Sequence, residues 1–236
     1  MDGIFRRRKL PHWDVEGHAI FITACLEGSI SATGLSRIRR FRDELDSQPR
    51  PAELDETAWE VKKHKRVFKL VDDLLDHQSA NTDLKDPRLA KIVADAFLHF
   101  AGDRYDLLAF AVMPSHHHWL FLPKQEWTTK ITLEQRTRPN AKQRTPREII
   151  SHSIQSYTAT MCNRLLGNSG AFWQTETFDH WARDEEELLR IIHYIENNPV
   201  KAGLVTDPSD FQFSSARIRK AAGLEFGTPI LKTHVG

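Results

Sequence analysis

The stretch Met113–Phe121, which reads MPSHHHWLF, is the most informative segment of the chain. It follows an apolar run, LLAFAV, whose length and composition predict a β-strand, and Pro114 must end or bulge that strand. If a second strand begins after the proline, successive side chains alternate between the two faces of a sheet. His116 and His118 then project from one face, and His117 projects from the other.

Two interpretations of this histidine cluster are open. Histidines beside a turn are often just polar surface. However, neutral imidazole is the commonest metal ligand in proteins, and two imidazoles at positions i and i+2 of a strand are held on a rigid platform. The spacing therefore favours a metal site at His116 and His118, which needs a third ligand from elsewhere in the chain.

Composition limits the classes of protein to consider. The 236 residues are 40% hydrophobic, which is enough for a core. Lys plus Arg (33) nearly balance Asp plus Glu (32), so the net charge of +1 gives no global sign of nucleic-acid binding. The two cysteines, Cys25 and Cys162, are far apart and support neither a zinc ribbon nor a disulfide framework.

No apolar run approaches the roughly 18 residues of a membrane span. The basic cluster Arg6–Lys9 is followed by Pro and Trp rather than by the apolar region of a signal peptide. We therefore expect a soluble, cytoplasmic protein without a membrane partner.

Apolar runs and capping signals predict the elements of the first half. Residues 19–26 form the first predicted strand. One helix is predicted to begin near Thr33 and a second to cover residues 58–75. The best-defined helix starts at the N-cap Asp86, packs on the sheet and leads into a strand over 105–113.

In the second half, residues 124–144 are polar and basic and are predicted to form a mobile loop. Thr145 and Glu148 form a capping box that starts a long helix. Its predicted apolar stripe is Ile150, Ile154, Tyr157, Met161 and Leu165. The last clear helix starts at Asp184, and Pro199 is expected to stop it before a polar tail.

Seven motifs resemble those of the single-tyrosine HUH transposases, and in particular those of the REP-associated tyrosine transposases. In chain order they are RKLPHW (8–13), MPSHHH (113–118), FWQ (172–174), FDH (178–180), ARD (182–184), YIENNPVKAGLV (194–205) and FSS (213–215). The His-x-His strand together with the Tyr-Ile-x-x-Asn-Pro-Val helix end is the most specific combination among them.

The resemblance implies an α/β (α+β) fold of the ferredoxin-like, HUH transposase-like type, with an antiparallel sheet and packed helices. It implies a divalent metal held by His116 and His118, with Tyr194 as the nucleophile and Asn198 as the third ligand. It also implies a substrate, single-stranded DNA carrying short hairpins such as repetitive extragenic palindromes (REP elements).

The chain departs from the family pattern at three positions. His117 stands where the middle residue of His-x-His is ordinarily apolar, and Ser115 replaces the usual Asn. Phe178 stands where similar proteins often carry Tyr, so no second nucleophile is available there.

Two tyrosines compete for the role of nucleophile. Tyr157 lies on the predicted apolar stripe of its helix, which argues for a packed aromatic, whereas Tyr194 lies roughly 120° from the centre of its own helix's stripe. Asn198 alone would be read as an ordinary residue at a helix end before proline, but its pairing with Tyr194 favours the ligand role. Two imidazoles and one amide oxygen suit Mg²⁺ or Mn²⁺, although imidazole also accepts zinc.

We therefore predict a basic N-terminal segment (1–18), a single catalytic domain (19–206) and a C-terminal tail (207–236). The predicted activity is metal-dependent cleavage and rejoining of single-stranded DNA through a 5′-phosphotyrosine intermediate, by a monomer or homodimer associated with the bacterial nucleoid when bound to DNA. The alternatives are a domesticated hairpin-DNA-binding protein without turnover and a metal-dependent phosphodiester hydrolase. Contacts to the DNA backbone are predicted for arginines of two segments, for which plain solvated surface is an equal alternative: Arg6, Arg7, Arg8, Arg136, Arg138 and Arg144.

Overall fold

Two short strands begin the chain. The computed structural model describes residues 3–7, 11–15, 17–137, 143–175 and 177–235, and for the first two of these ranges only the backbone. The first two ranges are the strands β1 (Gly3–Arg7) and β2 (Pro11–Val15), which pair antiparallel. The basic N-terminal segment therefore contains a hairpin that its polar composition did not predict.

Four further strands form the central sheet. They are β3 (Ile20–Cys25), β4 (Tyr105–Val112), β5 (His116–Pro123) and β6 (Phe178–Trp181). Their order is β4-β5-β3-β6, and every neighbouring pair is antiparallel. With helices between β3 and β4 and again between β5 and β6, this is the ferredoxin-like arrangement, and the predicted fold class is confirmed.

In the described ranges seven α-helices accompany the strands: α1 (Ala32–Asp46), α2 (Glu56–His77), α3 (Pro87–His99), α4 (Gln125–Arg136), α5 (Pro146–Leu166), α6 (Glu185–Lys201) and α7 (Ser215–Ala221). The predicted N-caps are confirmed, because the side chains of Asp86, Thr145 and Asp184 each accept a backbone N–H in the first turn of α3, α5 and α6. No helix of the described ranges is both long and apolar enough to cross a membrane.

Helices cover both faces of the sheet. On one face, Trp119 and Phe121 of β5 pack with Phe97 of α3 and with Ile150 of α5. On the other face, apolar residues of β3, β4 and β5 pack with α6. The helices α1 and α2 pack together at the same side, where their core includes Phe178 of β6. The ends of β5 and α6 are thereby enclosed under α2.

The prediction of a loop over residues 124–144 is wrong for the first part of this segment, because α4 occupies Gln125–Arg136. None of the side chains of α4 is buried, so the helix has no apolar stripe that periodicity could detect. Its anchor is Trp127, which packs partly against the core and lies 5.9 Å from the guanidinium carbon of Arg104. A surface helix of this polar composition cannot be told from a loop by its apolar pattern.

The prediction that Pro199 stops the last helix is also wrong, since α6 continues to Lys201. Proline lacks a backbone N–H, but this close to the helix end only one hydrogen bond of the ladder is missing. The helix is terminated instead by Gly203, two residues after Lys201, where a φ of +70° allows the Leu204 N–H to reach the Pro199 carbonyl.

The segment after residue 206 packs back onto the sheet. The Ile230 N–H donates to the Leu107 carbonyl at 2.7 Å, and the Ile230 side chain is buried in the core. Arg219 of α7 donates to the Leu108 carbonyl (2.8 Å), at a bulge in β4, and to Glu196 of α6 (3.1 Å). The sequence predicted a polar tail after residue 206, but Arg219 and Ile230 of this segment belong to the packed structure.

Candidate functional site

The alternation predicted for the histidine strand is confirmed. His116 and His118 project from the face of β5 that is covered by α2 and α6, and their Nε2 atoms are 3.1 Å apart. His117 projects from the opposite face, where its ring lies 5.0 Å from the rings of Phe97 and Trp173. All three imidazoles are buried.

The hydrogen bonds of the other ring nitrogens aim the two Nε2 atoms into the site. Ser115 Oγ donates to the Leu75 carbonyl (3.2 Å) and lies 3.0 Å from His116 Nδ1. Since the single hydroxyl proton is used on Leu75, His116 Nδ1 must carry the hydrogen that Ser115 accepts, which leaves a lone pair on His116 Nε2. His118 Nδ1 is held by Thr23 Oγ1 at 2.8 Å. Such contacts fix the orientation of metal-binding histidines in proteins.

Two carboxylates from α2 face the histidine pair. Asp72 Oδ1 lies 3.4 Å from His118 Nε2, and Asp76 Oδ1 lies 3.9 Å from His116 Nε2. The ammonium of Lys201, from α6, contacts the Oδ2 atoms of both carboxylates. Both aspartate side chains are buried.

Sequence reasoning missed these two aspartates. The available signal was their spacing, because residues at i and i+4 share one face of a helix, and Phe68 precedes Asp72 by the same interval. Phe68 packs against the core, so Asp72 and Asp76 are acidic residues on an apolar face. That position alone marks them as candidates for a buried site.

Burial and neighbouring charges shift the pKa values of the residues in this cluster in different directions. Burial, and next the charge of His118, hold the pKa of His116 well below its usual range. Burial alone would raise the pKa of Asp72, but its interactions with His118 and Lys201 place it below the usual range. Burial and the neighbouring Asp72 charge raise the pKa of Asp76. A neutral imidazole and an ionised carboxylate are the ligand forms that a metal ion requires.

The donor set fits a divalent cation. Ligand atoms of Asp72, His116 and His118 all lie within 4.8 Å of one another. Asp72 Oδ1 and Asp76 Oδ1 are buried without a hydrogen-bond partner among the described residues. A buried, unpaired carboxylate oxygen is costly unless something positive occupies the space beside it. Imidazole nitrogens and carboxylate oxygens together suit ions such as Mn²⁺ and Zn²⁺.

Tyr194 of α6 lies next to this cluster. Its ring centroid is 5.4 Å from that of His118, 6.0 Å from that of Phe21 and 6.1 Å from that of Phe68. Its hydroxyl is buried without a hydrogen-bond partner of good geometry in the described part of the chain. Burial, and then the charge of Asp72, raise the pKa of Tyr194 far above its usual range.

The burial of the two candidate tyrosines is the reverse of the expectation. Tyr157 is 54% exposed, because the buried face of α5 runs through Ile154, Thr158 and Cys162 instead of the predicted stripe. Thr158 can occupy a core position because its hydroxyl donates to the Ile154 carbonyl (2.8 Å) and accepts the Trp173 indole N–H (2.9 Å). Tyr194 lies off the apolar stripe of α6, as predicted, but it faces the enclosed space under α2 rather than solvent.

Asn198 follows Tyr194 by one turn of α6 and is fully buried. Neither its amide oxygen nor its amide nitrogen has a hydrogen-bond partner among the described residues. Its side chain lies beside the Tyr194 hydroxyl. The residue is therefore placed at the site with unused hydrogen-bonding and ligand capacity.

The predicted DNA-binding arginines have different surroundings. Arg136 is exposed at the end of α4. The Arg144 carbonyl accepts from Gln135 Nε2 and the Arg144 N–H donates to Gln135 Oε1, both at 2.8 Å. Arg147, at the end of the same basic segment, is buried in an ion pair with Asp179 (3.0 Å) and serves the structure. Arg8 and Arg138 lie outside the described residues, and for Arg6 and Arg7 only the backbone of β1 is described.

Comparison with known proteins gives distant similarities. No family model matches the chain. Over 94 residues, which are 39% of this chain and 52% of the relative, it is 29% identical to an uncharacterized protein of Haemophilus influenzae, so it spans about half the length of that relative. The structure is similar to that of a REP-associated tyrosine transposase bound to a REP hairpin, with a TM-score of 0.47 and 17% identity over 89% of this chain and 84% of the other.

Proposed function

We propose that this protein cleaves and rejoins single-stranded DNA at hairpin sequences, with Tyr194 as the nucleophile and a divalent cation bound at His116 and His118. The observation that carries the proposal is the position of Tyr194, whose ring contacts His118 and whose hydroxyl lies beside Asp72. A phenol next to a buried cation site is the arrangement that phosphodiester transfer to tyrosine requires. The order of the seven motifs along the chain supports the same reaction.

In the proposed reaction the Tyr194 oxygen attacks the scissile phosphorus. The Tyr194 hydroxyl gives up its proton as the new bond joins its oxygen to phosphorus, the bond from phosphorus to the 3′-oxygen breaks, and the 3′-oxygen takes up a proton. The protein keeps a 5′-phosphotyrosine, and a free 3′-hydroxyl can later reverse the step on another strand. One phosphodiester replaces another, so no organic cofactor or nucleotide triphosphate is needed.

The residues of the site have distinct roles in this proposal. His116 and His118 would hold the cation together with Asp72, and Asn198 would be the further ligand that the motif resemblance implies. When bound, the ion would polarise the scissile phosphate and offset the carboxylate charge beside Tyr194. We propose Mg²⁺ or Mn²⁺ as the ion. We also propose that residues 19–206 carry the activity, as a monomer or homodimer in the bacterial cytoplasm.

The burial of the site favours a second candidate function. Phe68 and Asp72 of α2 lie against Tyr194 and His118, so the covering side chains must move before a DNA phosphate can enter. The raised pKa of Tyr194 also disfavours the phenolate in the closed arrangement. A hairpin-binding protein without turnover would have these two properties.

A denaturing gel distinguishes the candidates. The protein is incubated with Mn²⁺ and a single-stranded hairpin oligonucleotide labelled at its 3′ end, and a parallel sample contains a chelator. The proposal predicts a labelled species of protein mass that forms only with the ion. Cleaved DNA without that species supports a phosphodiester hydrolase, and bound but intact DNA supports the binding protein. Either of these two results overturns the proposal.

A further inference from the structure

In both Asp72 and Asp76, the two oxygens of the carboxylate have different surroundings. In each, Oδ2 contacts the Lys201 ammonium, at 3.0 Å in the case of Asp76. In each, Oδ1 is buried, faces a histidine Nε2 and has no hydrogen-bond partner in the described ranges of the chain. One ammonium therefore satisfies one oxygen of each carboxylate and leaves the other oxygen of each facing one of the two histidines.

The separations of these atoms match a shared ion. Two ligand atoms that are about 2.1 Å from one ion, at angles between octahedral and tetrahedral values, lie about 3.0–3.4 Å from each other. The two Nε2 atoms are 3.1 Å apart, and Asp72 Oδ1 is 3.4 Å from His118 Nε2. Asp76 lies outside the group of Asp72, His116 and His118, whose ligand atoms are within 4.8 Å of one another. Its Oδ1 is 3.9 Å from His116 Nε2, so its side chain must rotate towards the other three residues to share the ion.

We propose that Asp76 is a fourth ionisable ligand, so that two histidines and two aspartates (a His₂Asp₂ site) bind the ion beside the Asn198 amide, and that Lys201 is the positioning residue that keeps both Oδ1 atoms turned towards it. This inference rests on the proposed function only in locating the cation at His116 and His118. Two imidazoles favour a transition-metal ion and two carboxylates favour a hard one, and Mn²⁺ meets both preferences better than Mg²⁺ does.

The contact of Lys201 explains why the carboxylates bind through one oxygen each. An ammonium bridging both Oδ2 atoms prevents either carboxylate from rotating to offer both oxygens to the ion. Loss of Lys201 should therefore loosen the geometry of the site rather than abolish it.

The test measures metal binding without DNA. Isothermal titration with Mn²⁺ is performed on the unaltered chain, on Asp76→Asn and on Asp73→Asn, an exposed aspartate of the same helix that serves as the matched control. We expect about one ion per chain, with an affinity that falls 10- to 100-fold in Asp76→Asn and is unchanged in Asp73→Asn. Equal loss in both variants would show a general effect of charge and overturn the proposal.

Visible absorption of bound Co²⁺ separates a ligand from a nearby charge. Loss of a ligand changes the position and intensity of the bands in Asp76→Asn, whereas loss of a remote charge leaves them as they are in the unaltered chain. Lys201→Gln should weaken binding and broaden the bands, and Lys201→Arg should restore part of both. Unchanged bands in Asp76→Asn would overturn the fourth ligand, even if the affinity falls.

The two proposals fail separately in these experiments. A chain that binds Mn²⁺ through Asp76 but forms no covalent species with DNA contradicts the proposed reaction and supports the His₂Asp₂ site. A chain that forms the covalent species, but whose Asp76→Asn variant keeps full affinity and unchanged bands, contradicts only the fourth ligand.

Discussion

His116 Nε2 and His118 Nε2 face each other at 3.1 Å inside the protein. Because Ser115 fixes the hydrogen of His116 on Nδ1, the lone pair of His116 Nε2 points at its neighbour. The contact is favourable only if His118 donates its own Nε2 hydrogen or a cation lies between the two atoms. In the second case His118 carries its hydrogen on Nδ1, and the Thr23 hydroxyl can turn so that its oxygen accepts that hydrogen.

The first prediction concerns these two histidines. His116→Ala or His118→Ala should lower Mn²⁺ affinity and DNA cleavage by more than about 100-fold, since each removes a ligand. Binding to a hairpin oligonucleotide should stay near normal, because it depends on phosphate contacts elsewhere. Cleavage assays and fluorescence anisotropy on the same preparations check both expectations. Full cleavage by either variant would remove the cation site from the mechanism.

The second prediction concerns the effect of His117 on the stability of the folded protein. This buried ring packs between Phe97 and Trp173, and its Nδ1 has no hydrogen-bond partner among the described residues. A valine would fill less of this space than the imidazole does, so Leu is the better apolar replacement. His117→Leu should raise the free energy of unfolding by about 1 kcal/mol at pH 7, because it removes an unsatisfied polar atom.

The advantage of His117→Leu should grow at low pH. Burial lowers the pKa of His117 to about 3 in the folded chain, against 6.5 as its ordinary value. As the pH falls below 6.5 the unfolded chain gains a proton that the folded chain does not bind, so the unaltered protein loses stability and the variant does not. Between pH 7 and pH 5 the difference should widen by about 2 kcal/mol. Urea denaturation at the two pH values measures it, with exposed His152→Leu as the matched control. A constant difference would show that His117 is protonated inside the fold.

The third prediction concerns the basic segment around α4. Replacing Arg136 and Arg144 by Gln should make DNA binding less dependent on salt, by about 0.7 in the log–log slope for each phosphate of a single strand that an arginine no longer neutralises. Arg147 is left unchanged because its ion pair with Asp179 is buried. The control replaces Arg88 and Arg190, which are exposed and paired with acidic neighbours. If the two double variants give the same slope, the segment is ordinary surface.

Local sequence patterns predicted the parts of the site that depend on local geometry. The alternation of His116, His117 and His118 follows from the period of a strand, and the spacing of Tyr194 and Asn198 follows from one helical turn. Asp72 was not predicted because its place beside His118 depends on how α2 packs across β5, a contact between residues 46 positions apart.

Burial was harder to predict than spacing. The aromatic ring of Tyr157 suggests a place in a core stripe, yet Thr158 takes the core position by satisfying its hydroxyl within the helix and with Trp173. The position of Tyr194 off the stripe of its own helix suggests an accessible side chain, yet α2 covers it. A stripe describes one interface of a helix and gives no information about a second helix that covers another face.

The role of Tyr194 as the nucleophile is tested by comparing the two tyrosines in the covalent assay. Tyr194→Phe removes one hydroxyl that has no hydrogen-bond partner of good geometry among the described residues, so folding should be kept while the covalent species disappears. Tyr157→Phe changes an exposed ring and should leave the yield of that species within about twofold of normal. Thermal unfolding of both variants checks that they are folded. A covalent species that persists in Tyr194→Phe and vanishes in Tyr157→Phe would contradict the account, because the nucleophile would then lie on α5, away from the histidine pair.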